Sequence, residues 1–204
     1  MTIAFMILLS IPMGCAYPPA LPCMCAMSRT VQGVLVDLVT ADLAALDAAI
    51  VGPAALGRAV GCEVADDWDV FAQALQRTRD AVAAYPESAR WGTRFFVLDE
   101  PRALVGWGGF KGPPDGGVVE LGYAVAPSWE GRGVATAAVR ALVREALATP
   151  AVHTIVAHTL AEPGPSPRVL EKAGFAHDGE VPDDKVGRTW RYRLDREMTG
   201  GSFA

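Results

Sequence analysis

The spacing of hydrophobic positions changes along the chain, and each spacing predicts an element. From Val118 to Val125 the residues alternate, with Val119, Leu121, Tyr123 and Val125 on one side and Val118, Glu120, Gly122 and Ala124 on the other. That period of two marks a strand. A carboxylate beside two very small side chains implies open space or a ligand on its face. From Ala135 to Ala148 the period becomes helical, and Ala135, Ala138, Val139, Leu142, Ala146 and Leu147 form one apolar stripe with Arg140 and Arg144 off it. Between strand and helix lies Trp129-Glu130-Gly131-Arg132-Gly133-Val134-Ala135-Thr136. A glycine-rich turn entering a helix presents backbone N–H groups at the positive end of the helix dipole, which binds phosphate without needing a basic side chain.

The other patterns supply the frame. Gly33–Leu38 reads as a first strand, and Thr40 is placed to cap a helix over Ala41–Ile50 that Gly52-Pro53 ends. Asp66, Asp67 and Asp69 read as helix-start charges on a helix running to Ala84, with contacts to an amine as the other reading. Thr93–Leu98 and Ala103–Lys111 read as antiparallel strands joined at Asp99-Glu100-Pro101, and residues 112–117 form a second turn. Thr154–Thr159 is a short strand. A proline-rich link over Glu162–Pro167 leads to a short helix ending at Ala173, and Phe175–Gly179 and Arg188–Leu194 are final strands. Helices, an antiparallel meander, a crossover helix and more sheet predict an α+β fold, a mixed sheet packed by helices.

Composition narrows the function. The 204 residues suffice for one core, and a net charge of −5 excludes an electrostatic draw to nucleic acid or anionic lipid. Residues 1–27 stand apart: they hold no Lys, Arg, Asp or Glu, yet contain Cys15, Cys23 and Cys25. They lack the positive start of a secretory signal, Pro12 interrupts their apolar run, and Pro12-Met13 argues against a lipoprotein site at Cys15. The reading is a leader, a mis-assigned start before Met27, followed by one domain over 28–198 and a tail over 199–204. Only Cys62 lies beyond the leader, which suits a reducing cytoplasm with no membrane role; tethering through the leader is the contrary reading. His153, His158 and His177 lack metal-ligand spacing, so no metal is expected.

The glycine turn is not a dinucleotide fingerprint, because Thr136 stands where a third small residue belongs and Ala151–Thr159 holds no acidic residue. It is not a P-loop, because no Gly-Lys-Ser/Thr follows. It resembles the acyl-CoA motif of the GNAT superfamily of N-acetyltransferases (Gln or Arg, two residues, Gly, any residue, Gly or Ala), here falling on Glu130, Gly133 and Ala135. The segments Gly108-Gly109-Phe110-Lys111-Gly112-Pro113-Pro114, Val119-Glu120-Leu121-Gly122-Tyr123, Ala126-Pro127 and Arg168-Val169-Leu170-Glu171-Lys172-Ala173-Gly174-Phe175 resemble the branch that includes ribosomal-protein N-terminal acetyltransferases. The resemblance implies a largely antiparallel twisted sheet flanked by helices and splayed between its fourth and fifth strands, with acetyl-CoA as cosubstrate in the gap. Its pyrophosphate would meet Gly131, Arg132, Gly133, Val134, Ala135 and Thr136, and its pantetheine the backbone of Tyr123, Ala124 and Val125. Arg132 reads equally as a charge beside a phosphate or a solvated loop residue. Glu130 departs from the pattern, Gly164 stands where relatives carry a CoA-contacting asparagine, and Leu170 where relatives outside this branch often carry a general-acid tyrosine.

Acetyl transfer to an amine needs a base, because an ammonium has no lone pair. Glu120 is the candidate, with burial expected to raise its pKa; its other reading is a carboxylate merely paired with a neighbour. The Val125 N–H is the candidate oxyanion donor. His158 reads as an acid or base or as a satisfied edge residue, and Ser166 as a donor to the leaving thiolate or as a helix cap. Trp107, Trp129 and Trp190 read as packing or cleft-wall residues. The acceptor, a small-molecule amine or a peptide N-terminus, would be gripped by the first helices and a loop over Val181–Thr189, in a monomer or homodimer. The alternative function is a non-catalytic acyl-CoA-binding or regulatory domain.

Overall fold

The computed structural model describes residues 34–70 and 72–199. The expectations for the leader, and for the tail from residue 200, lie outside the described residues. The elements run β1 (Val36–Thr40), α1 (Leu43–Val51), α2 (Pro53–Val60), β2 (Glu63–Val64), α3 (Ala72–Ala84), β3 (Thr93–Leu98), β4 (Ala103–Phe110), β5 (Val118–Val125), α4 (Val134–Leu147), β6 (Thr154–Leu160), α5 (Pro165–Lys172), β7 (Ala176–Asp183) and β8 (Gly187–Asp195). Seven strands lie in the order β1-β3-β4-β5-β6-β8-β7, and β2 pairs with β4. β5–β6 and β2–β4 are parallel, and the other pairings are antiparallel. The fold is the expected α+β arrangement.

Strand alternation sorts the sheet into two cores. Phe95, Val97, Leu104 and Trp107 point to the side covered by Leu46 of α1, Leu56 of α2 and Leu75 of α3. Phe96, Val105, Leu121, Tyr123 and Ile155 point to the opposite side, against Val139 and Leu142 of α4 and Leu170 of α5. Each large apolar side chain buried this way contributes about 1.5–3 kcal/mol. Arg94, 4% exposed, lies beneath α4 and joins Glu145 of that helix, so a buried cation is paired where it leaves water. The expected faces of β5 hold, since Val119, Leu121, Tyr123 and Val125 all lie in the α4-side core.

Several local expectations are corrected. The first strand starts at Val36, and Thr40 is its last residue, paired with Arg94 and so unable to cap α1. Asp42 caps instead, its Oδ1 accepting from the Ala45 N–H at 2.8 Å. Gly52-Pro53 ends α1 as expected, but Pro53 also opens α2, where its lack of an N–H leaves no orphan donor at the first position. The third helix begins at Ala72, so Asp66 and Asp67 are not helix-start charges. Asp67 accepts from both the N–H and the hydroxyl of Ser128, at 2.8 and 2.7 Å, across 61 residues of sequence. Val181–Thr189 is not a loop: Val181, Pro182 and Asp183 pair with Thr189, Arg188 and Gly187, leaving only a tight turn. Among the described residues, no helix is long and apolar enough to cross a membrane.

Candidate active site

The site forms where two neighbouring strands part. β5 and β6 pair only at Val118–Thr154, Val119–Ile155 and Glu120–Val156. Beyond that point β5 continues against β4 up to Val125–Gly106, while β6 continues against β8 up to Leu160–Thr189. The edge of β5 from Leu121 to Val125 is therefore turned to a gap, with no strand among the described residues paired to it on that side. Gly122 and Ala124, the small residues of this stretch, share the face of Glu120, and residues 121–125 are all buried.

Three titratable side chains meet at the apex. Glu120 belongs to the last β5–β6 pair, and His158 stands two residues further along β6 on the same face. The His158 Nδ1 lies 2.8 Å from the Glu120 Oε1. Lys111, just past β4, donates its backbone N–H to the Glu120 carbonyl at 2.9 Å and pairs its ammonium with the same Oε1. The Lys111, Glu120 and His158 side chains are 15%, 18% and 15% exposed, sheltered but reachable. Burial pushes the Glu120 carboxyl up, but the hydrogen bond with His158 and the adjacent Lys111 ammonium outweigh it and hold the group below its usual range. The expected upward shift is thus overturned, and Glu120 is a carboxylate across the neutral range. An ionised carboxylate accepts only, so the proton of the His158–Glu120 hydrogen bond is on Nδ1.

The second part of the site is built from backbone. A short 3-10 turn over Pro127–Trp129 leads from β5 into the glycine turn. Gly131 and Gly133 take φ of +75° and +84°, a region that side chains rarely adopt. Among the described residues, a Cβ at Gly131 would meet nothing within 4 Å, and one at Gly133 only Val34 at 3.8 Å. Gly133 is the N-cap of α4, and no side chain caps the helix start. Arg132 stacks on the Trp129 ring at 4.7 Å, and both residues line a cavity of about 410 Å³ with Val34, Leu98, Asp99 and Glu100. Thr136 is buried and Ala135 half-buried at the first turn of the helix.

Ser166 does not cap α5. Gly164 is the N-cap, without a side-chain bond, and Ser166 lies inside the helix at 3% exposure. Its hydroxyl has no hydrogen-bond partner among the described residues, while its carbonyl accepts from the Tyr123 hydroxyl at 3.3 Å. The Tyr123 ring is a core residue, so only its backbone lies on the gap edge; burial pushes its hydroxyl pKa well up, above its usual value. Trp107 is packing, fully buried with its Nε1 donating to the Val70 carbonyl. Trp190 packs edge-on to His177 and donates to Glu180. The site residue that sequence reasoning missed is Lys111.

Comparison with known proteins adds a family. The acetyltransferase (GNAT) domain family model matches residues 34–176. Among solved structures the chain is similar to RimJ of Mycobacterium smegmatis in complex with CoA-disulfide, at 21% identity over 87% of this chain and 90% of that one, with a TM-score of 0.62. It is also similar to the aminoglycoside acetyltransferase AAC(6')-Ib in complex with coenzyme A, at 20% identity over 83% and 99% of the two chains, TM-score 0.57. A GNAT-family acetyltransferase from Bacillus anthracis aligns at 19% identity over 84% and 99%, TM-score 0.54. At such identities the structural likeness shows the fold. No curated protein matches the sequence.

Proposed function

The chain belongs to the GNAT acetyltransferase family, and we propose that it moves an acetyl group from acetyl-CoA to a primary amine of a small molecule or a peptide N-terminus. One observation carries this reading: β5 and β6 part directly beyond a carboxylate–imidazole pair, and β5 then leads to an open, uncapped glycine turn.

The residues fit acetyl-CoA. The positive-φ glycines and the uncapped start of α4 suit a pyrophosphate over residues 131–136. The unpaired edge around Tyr123, Ala124 and Val125 suits the amides of pantetheine, and the orphaned Ser166 hydroxyl has a hydrogen bond to give. Acetyl-CoA supplies an acyl group activated by a thiolate leaving group.

His158 is the proposed proton acceptor. With its Nδ1–H donated to Glu120, a neutral imidazole presents the Nε2 lone pair. The amine gives its proton to Nε2 as its nitrogen bonds to the acetyl carbon, and the Glu120 carboxylate stabilises the imidazolium that results. The Val125 N–H is the proposed donor to the developing oxyanion, and the Ser166 hydroxyl donates to the sulfur as the carbon–sulfur bond breaks. Glu120 thus orients and charges the base rather than taking the proton itself. Arg132, within the turn, stacks on the half-buried Trp129 just before it.

The test is release of free thiol from acetyl-CoA across aliphatic amines, aminoglycosides, amino acids and peptide N-termini. At least one class is expected to yield thiol in step with an N-acetylated product. Tight acetyl-CoA binding with no thiol release across the panel would make the protein an acyl-CoA-binding domain.

A further inference from the structure

We propose that Lys111 is a positioning residue for the base: its ammonium, seated on Glu120, keeps His158 an unprotonated imidazole with Nε2 free. The inference rests on the acetyl-transfer reading above and adds a residue to it.

The geometry confines two cationic groups to one oxygen. The Lys111 ammonium and the His158 Nδ1 both meet Glu120 Oε1, so they lie no more than two hydrogen-bond lengths apart. A lone carboxylate beside a histidine favours the imidazolium and would leave the base already protonated. A fixed ammonium on the same oxygen opposes a second positive charge there, while the carboxylate still holds Nδ1–H. The backbone bond from Lys111 N–H to the Glu120 carbonyl fixes this lysine across from the carboxylate, at the mouth of the hairpin rather than on a free loop.

The other charged groups on this face are matched among themselves. Arg191 of β8 is the register partner of His158, and its guanidinium pairs with Asp178 of β7 at 2.8 Å. Arg193, opposite Val156, pairs with Asp195 at 2.9 Å. Asp183 of β7 adds only a weak attraction toward Lys111. The charges that the structure places at His158 are therefore Glu120, in direct contact, and Lys111 on the same oxygen.

The test uses the full chain with Lys111→Met, which keeps length and removes charge, and Lys111→Arg, which keeps charge. Two readings are taken: the acidic limb of the kcat/KM–pH profile, and the titration of the His158 ring followed by NMR. Loss of the ammonium is expected to move both to higher pH by about 1 unit, the usual effect of one nearby charge. Lys111→Arg is expected to stay close to the wild-type profile, and acetyl-CoA affinity to change less than about threefold in either variant. Lys111→Gln repeats the measurement if the methionine variant does not fold. A His158 titration unmoved in Met or Gln variants, with turnover lowered equally at every pH, would reduce Lys111 to a structural partner of Glu120 and overturn the proposal. The ring titration needs no turnover, so an absence of acetyl transfer in the wild type would sink the function while leaving the role of Lys111 readable.

Discussion

The apex of the parted strands and the glycine turn lie at opposite ends of β5, and they are built from different materials. At the apex, three side chains from three segments of chain share one oxygen, with partners 9 and 38 residues apart. At the turn, consecutive residues present backbone groups, and the side chains matter chiefly by being absent at Gly131 and Gly133. The apex is an electrostatic device, sensitive to single charges and to pH. The turn is a conformational device, sensitive to φ and to bulk. A chain built this way separates chemistry from cofactor capture, so changes at one end should leave the other nearly intact.

The strongest way to break that separation is at the apex. Glu120→Gln keeps the shape, loses the charge that orients His158 and stabilises its imidazolium, and is expected to lower kcat/KM by about 100-fold or more. A near-wild-type rate would mean that His158 needs no carboxylate partner, or that the acceptor arrives deprotonated. The complementary change is Gly133→Glu. A side chain at φ +84° costs on the order of 1–2 kcal/mol and stands over the turn. Acetyl-CoA affinity should fall by about tenfold or more, with the apex chemistry intact once cofactor is saturating; calorimetry showing unchanged affinity would remove the turn from the site.

Legibility in the sequence follows the same division. The turn was readable because it is local: strand period, glycines and helix period occupy consecutive positions from Val118 to Leu147. The α+β class, the two faces of β5 and the opening beside it were readable for the same reason, together with the family resemblance. The apex was half readable. Glu120 stood out among small residues, but Lys111 did not, because counting across residues 112–117 places it opposite Val118. An inner turn closed by two bonds between Asp115 and Val118 shifts the register and brings Lys111 to Glu120. The direction of the Glu120 shift was misjudged because burial alone was weighed, without partners that only tertiary structure supplies. α2 and β2 were missed because Gly52-Pro53 signals an end and a beginning with the same two residues, and a two-residue strand has no period.

A smaller effect sharpens the comparison on the α5 side. Ser166→Ala should lower kcat by about tenfold if its hydroxyl serves the departing thiolate. Because that hydroxyl has no partner, its removal should leave the urea midpoint unchanged or slightly raised. A lower midpoint with an unchanged rate would make Ser166 structural.

The smallest effect is a pH dependence of stability. The folded-state pKa of Glu120 lies below its unfolded value, so the stabilisation is fully present above about pH 4.3 and is lost as pH falls through the folded value. Urea midpoints taken at pH 6 and pH 3.5 should differ less in Glu120→Gln than in the wild type. Equal differences would show that the apex ion pair contributes nothing to the fold.

The division of labour along β5 is tested most directly by calorimetric titration of acetyl-CoA into Glu120→Gln, on the same preparation that shows the loss of turnover. Cofactor held by backbone at the far end of the strand should bind within about threefold of wild type. Loss of affinity in proportion to the loss of rate would contradict the account, because Glu120 would then be holding the cofactor or the fold rather than serving the proton transfer.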